Sequence, residues 1–168
     1  MPENYRNVRY LRRSTRATTH AAYLQRLEDR IAAAGWVVLT IRAEKTRPPY
    51  SYSMGLGRQG LPDLIMVGVA EIAGKDCIGE LARMLLEGKQ LPLNEPIEGV
   101  LPAISLILRP VPPAIARDWL LLSSEGAPAG WTVLQVCWPD PEGKFPWEPG
   151  SDPRWAPQQP IFDLWDKH

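Results

Sequence analysis

Between Trp138 and Pro160 the chain reads WPDPEGKFPWEPGSDPRWAPQQP, a segment too aromatic for a solvated linker and too rich in proline for a helix or an inner strand. Pro139, Pro141, Pro146, Pro149, Pro153, Pro157 and Pro160 each remove a backbone donor and forbid regular structure. Trp138, Phe145, Trp147 and Trp155 supply apolar area that water does not tolerate cheaply. The segment therefore predicts a long ordered loop. Loops of this length without secondary structure are uncommon in small domains and tend to be lids or binding elements.

The remainder suits one domain. With 168 residues, 45% of them hydrophobic and 23% charged, the chain can bury a core that needs no staples. No apolar run approaches the roughly 20 residues that span a bilayer, and no apolar stretch follows the N-terminal arginines to make a secretory signal. A cytoplasmic location without membrane contact is the expectation. The formal net charge is zero, yet Arg6, Arg9, Arg12, Arg13 and Arg16 stand against Glu3 alone in the first 17 residues. A basic arm over residues 1–17 therefore precedes a mildly acidic single domain at 18–168, and a solvated terminus is its plainest reading. Cys77 and Cys137 lack the spacing of a zinc or redox pair and read as reduced core thiols.

Residues 18–34 place Tyr23, Leu24, Leu27, Ile31 and Ala34 on one helical face, closed by Gly35. Trp36–Arg42 and Tyr50–Met54 read as a hairpin of two strands around Pro48-Pro49. Asp63–Val69 suits a central strand, and Lys75–Glu87 a second helix stopped by Gly88. Pro92, Pro96 and Pro102 predict an irregular connection over 89–102 before a strand at Ala103–Arg109. The prolines at 110, 112 and 113 can open a helix through Leu122, and Thr132–Trp138 gives a last strand. The predicted fold class is α+β: a mainly antiparallel or mixed sheet of about five strands, two to three helices, and the long ordered Trp/Pro-rich C-terminal loop.

Gly55-Leu56-Gly57-Arg58-Gln59-Gly60 matches G-x-G-x-x-G, but a strand rather than a helix follows it, so the dinucleotide reading fails on context. His20 and His168 have no ligand partner at useful spacing, which leaves no predicted metal site. Ser51 and Ser53 lie in no nucleophile motif and read as strand serines facing solvent. Tyr50, Tyr52 and Met54 share one strand face opposite them. The candidate ligand site lies where this stripe meets the tryptophan loop. It comprises Tyr50, Tyr52, Gly55, Asp63, Trp138, Asp140, Lys144, Phe145, Trp147 and Gln159, while the plainer alternative is a loop that only covers a sheet edge.

Two segments read together carry a family resemblance. YSYSMGL with LPDLIMVG downstream, and QVCWPDPEGKFPWEPG followed by QQPIF, resemble the signature blocks of the bacterial domain of unknown function 4262 family. In that family a Y-T-I-G-L block precedes P-E-L-I, a leading helix ends in G-W, and Q-x-x-W-P-D-x-x-G-x-F-P-W runs on to a Q-P pair. The G-W pair is here Gly35-Trp36, Ser53 and Met54 stand for threonine and isoleucine, and Asp63 stands for a glutamate. The resemblance runs from about His20 to Phe162 and leaves the basic arm outside. It implies a functional patch at Tyr52, Gly55, Leu56, Pro62 and Asp63 with Trp138, Pro139, Asp140, Gly143, Phe145, Pro146, Trp147, Gln159 and Pro160, and it implies no reaction.

Contact residues are abundant and catalytic ones scarce, so the expected function is a binding or regulatory module for a small molecule or a protein partner. One alternative is a small-molecule enzyme using Asp63 or Asp140 with Tyr52 or Lys144 and an organic cofactor. Another is an accessory or inhibitory protein that touches nucleic acid or a larger machine through the arginine arm. Nucleic acid ranks last among these partners, and the sequence names neither a cofactor nor an oligomeric state.

Overall fold

In a computed structural model that describes residues 14–165, six strands form one sheet between two helical layers. Helix α1 (Ser14–Ala34) leads into β1 (Val37–Ile41), β2 (Tyr50–Met54) and β3 (Asp63–Val67). Helix α2 (Glu71–Leu86) then precedes β4 (Pro96–Leu101) and β5 (Ile104–Pro110), and the short helices α3 (Pro113–Trp119) and α4 (Leu121–Glu125) come before β6 (Val133–Cys137). The order across the sheet is β1-β2-β3-β6-β5-β4, with every neighbour antiparallel except the central pair β3 and β6. The fold is therefore α+β with a mixed sheet.

Two three-stranded meanders meet at that parallel pair, each led by a helix. Rotating one half about an axis along β3 and β6 exchanges the faces of the sheet, and the leading helices accordingly lie on opposite faces. Leu27 and Ile31 of α1 pack with Leu39, Tyr52, Ile65 and Trp119 on one side. Ile78, Leu81 and Leu85 of α2 pack with Leu64, Met66, Leu108 and Val136 on the other. The inner strands β2 and β3 are buried on both faces and have no exposed position, whereas the edge strand β4 keeps one side open to solvent.

Several sequence expectations are corrected by this packing. Ser51 and Ser53 do not face solvent; they are buried beneath α2. A Cβ at Gly74 of α2 would stand 2.7 Å from the Ser51 hydroxyl, so small residues on both sides permit the close approach. That glycine also hid the first turn of α2 from periodicity, so the helix starts at Glu71 and not at Lys75. The stretch 89–102 is not wholly irregular, because β4 begins at Pro96. It is an edge strand, where a missing N–H costs no ladder bond, and its register shifts between Ile97 and Leu101. The helix expected through Leu122 is two helices, broken at Leu120 with φ −99° and ψ 61°. There the Tyr50 hydroxyl donates to the Trp119 carbonyl at 3.0 Å. Of the basic arm, residues 1–13 lie outside the described residues, and α1 already starts at Ser14. Among the described residues no helix is long and apolar enough to cross a membrane.

Candidate functional site

The proline-rich segment after β6 lies on the same side of the sheet as α1, over the part at β5 and β6 that α1 does not reach, and two buried glutamines hold it there. Gln135, in the middle of β6, donates from Nε2 to the Pro160 carbonyl at 2.7 Å and accepts the Phe162 amide at 3.0 Å. Gln159 reverses the arrangement: it accepts the Trp138 amide and donates to the Trp138 carbonyl, each at 2.8 Å. Side-chain amides thus supply the donors and acceptors that a chain full of prolines lacks. The Trp138 indole donates to the Val67 carbonyl at 2.7 Å, fixing the loop's entry at the carboxyl end of β3. Asp140 organises the turn that follows, accepting the Glu142, Lys144 and Asp152 amides at 2.9 Å each. Those amides, Asp152 and Lys144 foremost, hold its carboxyl below the usual aspartate range.

Aromatic rings then build a wall. Phe145 stacks on Trp147 with centroids 5.1 Å apart, and Arg109 of β5 lies 4.5 Å over the Trp147 ring while its Nε donates to Asp163 at 2.8 Å. Opposite, Trp119 packs 4.9 Å from Tyr50 and 6.0 Å from Trp165, and Arg47 covers it at 4.2 Å while pairing with Asp118. Between the two walls runs an open cleft of about 460 Å³, reached by Thr46, Pro48, Trp119, Trp147, Pro157 and Trp165. It sits at the carboxyl end of the sheet's parallel pair, the end where open sheets flanked by helices leave a crevice.

Asp63 belongs to the other end. It begins β3, about 13 Å along the strand from Val67 by the rise per residue. Ser53 donates to its Oδ1 at 2.6 Å, and the Trp131 indole (2.8 Å) and the Gly57 amide (3.3 Å) donate to Oδ2. Burial pushes its carboxyl above the usual aspartate range, and the Ser53, Trp131 and Gly57 donors pull against that rise. The glycine motif forms a 3-10 turn over Leu56–Gln59, closed by Gly60 with φ +76°, and the chain passes straight into β3. A Cβ on Gly57 would stand 2.5 Å from the Trp131 ring, so the glycine is needed for Trp131 to reach the carboxylate.

The ten predicted positions thus fall into two groups. Trp138, Asp140, Lys144, Phe145, Trp147 and Gln159 gather in the loop, with Tyr50 behind the cleft through Trp119; Gly55 and Asp63 sit at the far end, and Tyr52 is in the core between them. Lys144 acts through its backbone, exchanging bonds with Asp140. The loop covers a sheet face and not an edge. Sequence reasoning passed over Trp119, Trp165, Arg109, Trp131 and Gln135. Only Gln135 had a local signal: a lone amide inside the apolar run TVLQVCW has to find partners. Trp131 becomes Asp63's neighbour only through the pairing of Asp63 with Val133. Among the described residues no three His, Cys, Asp or Glu side chains converge as a metal site.

No curated protein and no solved structure matches the chain. The family model for a domain of unknown function, DUF4262, matches residues 30–152, which is most of the chain and takes in both the Asp63 turn and the first part of the tryptophan loop. The chain belongs to the DUF4262 family.

Proposed function

We propose that the chain is a cytoplasmic binding or regulatory module that takes a small molecule, or a short segment of a protein partner, in the cleft between the start of β2 and the tryptophan loop. The observation that carries this reading is the cleft itself: about 460 Å³, with tryptophans on both walls and rigid prolines at its rim. Trp165 at 47% exposure and Leu164 at 54% leave apolar surface open to an occupant. Aromatic rings of this kind give large contact area for little lost side-chain freedom.

The two carboxylates available for the enzyme alternative weigh toward binding, because protein donors already occupy both oxygens of Asp63 and of Asp140. A fragment and peptide screen by thermal shift, run on the native chain and on Trp147→Ala, tests the reading. Ligands that raise the melting temperature of the native chain and lose that effect in the variant support it. A screen without hits, or hits indifferent to Trp147, overturns it. An absorbance band from a co-purified organic cofactor would favour the enzyme instead.

A further inference from the structure

The end of the sheet opposite the tryptophan cleft carries a second, larger hollow of about 830 Å³. Its floor is Val133 and Leu134 of β6, its near wall is α3, its far wall is Leu91 and Leu93 from the connection before β4, and Trp131 stands over it. The volume falls within the range of small-molecule sites, and most of the lining residues are apolar, with Ser124, Thr132 and Arg117 as the polar side chains. Leu93 is 46% exposed although it faces a concave surface rather than a convex one.

Two features separate this hollow from a packing defect. Its aromatic wall is fixed in advance: the Trp131 indole N–H is committed to Asp63 at 2.8 Å, and the glycine at 57 makes the room for it, so the ring face is presented without further ordering. The second feature is charge. Among the residues lining the hollow, Arg117 in the last turn of α3 is the sole charged side chain, and among the described residues it has no hydrogen-bond or ion-pair partner. An exposed guanidinium lining a mostly apolar hollow matches one carboxylate, which it can hold by two parallel hydrogen bonds, with an apolar body laid along the leucines and the indole. One cation is too few for a polyphosphate or a nucleic acid backbone.

We infer that this hollow is a binding site for an apolar monocarboxylate, an acyl or arylalkyl acid whose carboxylate pairs with Arg117 and whose body lies against Leu91, Leu93 and Trp131. The site is independent of the tryptophan cleft.

Decanoate is the test ligand, titrated into the isotope-labelled full chain and followed by the seven tryptophan indole N–H resonances and by calorimetry. Decanol serves as the uncharged control. The expected result is saturable binding that moves the Trp131 resonance, a decanol affinity weaker by about tenfold or more, and a similar loss in Arg117→Gln. Arg117 is exposed, so that variant keeps its fold, which its melting temperature checks. Trp147→Ala should bind decanoate as the native chain does, which separates this site from the proposed cleft. Decanol binding as tightly as decanoate, an unchanged affinity in Arg117→Gln, shifts confined to Trp147 and Trp165, or no binding at millimolar decanoate each overturns the inference.

Discussion

Replacing Gln135 by methionine keeps the side chain's length and apolar stem and removes both of its hydrogen bonds. Gln135 is fully buried, the Phe162 amide that it satisfies is buried with it, and the Pro160 carbonyl is part-buried. Each group left without a partner costs about 1–3 kcal/mol. The two together give about 4 kcal/mol, which for a domain of this size lowers the melting temperature by about 8–16 °C. The chain has one way to soften this: the loop can lift away and let water reach Pro160 and Phe162. In that event the loss appears as rapid proteolytic cleavage between residues 142 and 157 rather than as a full drop in melting temperature. Gln159→Met breaks the equivalent pair at Trp138, so the double variant should cost clearly less than the sum of the singles, because a loop released at one anchor no longer strains the other. Calorimetry and limited proteolysis on the three variants read all of this. A Gln135→Met protein that melts within about 3 °C of the native chain and resists protease equally would refute the claim that the glutamines hold the loop.

Three further outcomes are expected. Asp63 has a folded-state pKa raised by burial, so its contribution is fully present below the ordinary aspartate value near 3.9 and is lost as pH climbs through the raised value; urea midpoints of Asp63→Asn relative to the native chain should therefore improve from pH 4 to pH 8, and a constant gap contradicts the shift. Gly68→Ala should destabilise by more than the roughly 1–2 kcal/mol of a left-handed alanine, since its φ is +84° and the new Cβ would meet the Gln158 carbonyl at 2.2 Å, whereas Gly60→Ala, with φ +76° and open space around it, should cost the dihedral alone. Equal denaturation midpoints for the two would be the wrong result. Burial pushes the Cys77 thiol up to about 11 and Cys137 higher still, so neither should react with a thiol reagent at pH 8 until the chain unfolds, when both titrate.

Much of the fold was legible from local chemistry. The leading helix with its Gly35 stop, the hairpin at Tyr50, the turn at Gly55–Gly60 and the ordering of the tryptophan segment all follow from residues close in sequence. The missed pieces depend on partners far away. Pro96 reads as a breaker until β4 is known to be an edge strand, and Ser51 reads as a surface residue until Gly74 brings α2 down upon it. The site reading had the same boundary. The loop residues were legible as a group, but the distance from Asp63 to that loop is set by the parallel pairing of β3 with β6. No spacing in the sequence encodes that pairing.

The glutamine anchors have a practical consequence for how this domain can be cut. The family match closes at residue 152, yet the groups that pin the far end of the loop, Gln159, Pro160 and Phe162, come later in the chain. An excised fragment ending at 152 would leave the Gln135 amide with nothing to bind and open the apolar patch of Ile107 and Cys137 to solvent. The smallest piece able to stand alone therefore extends at least through Phe162, with the last ten of those residues acting as the clasp that shuts the sheet's exposed side.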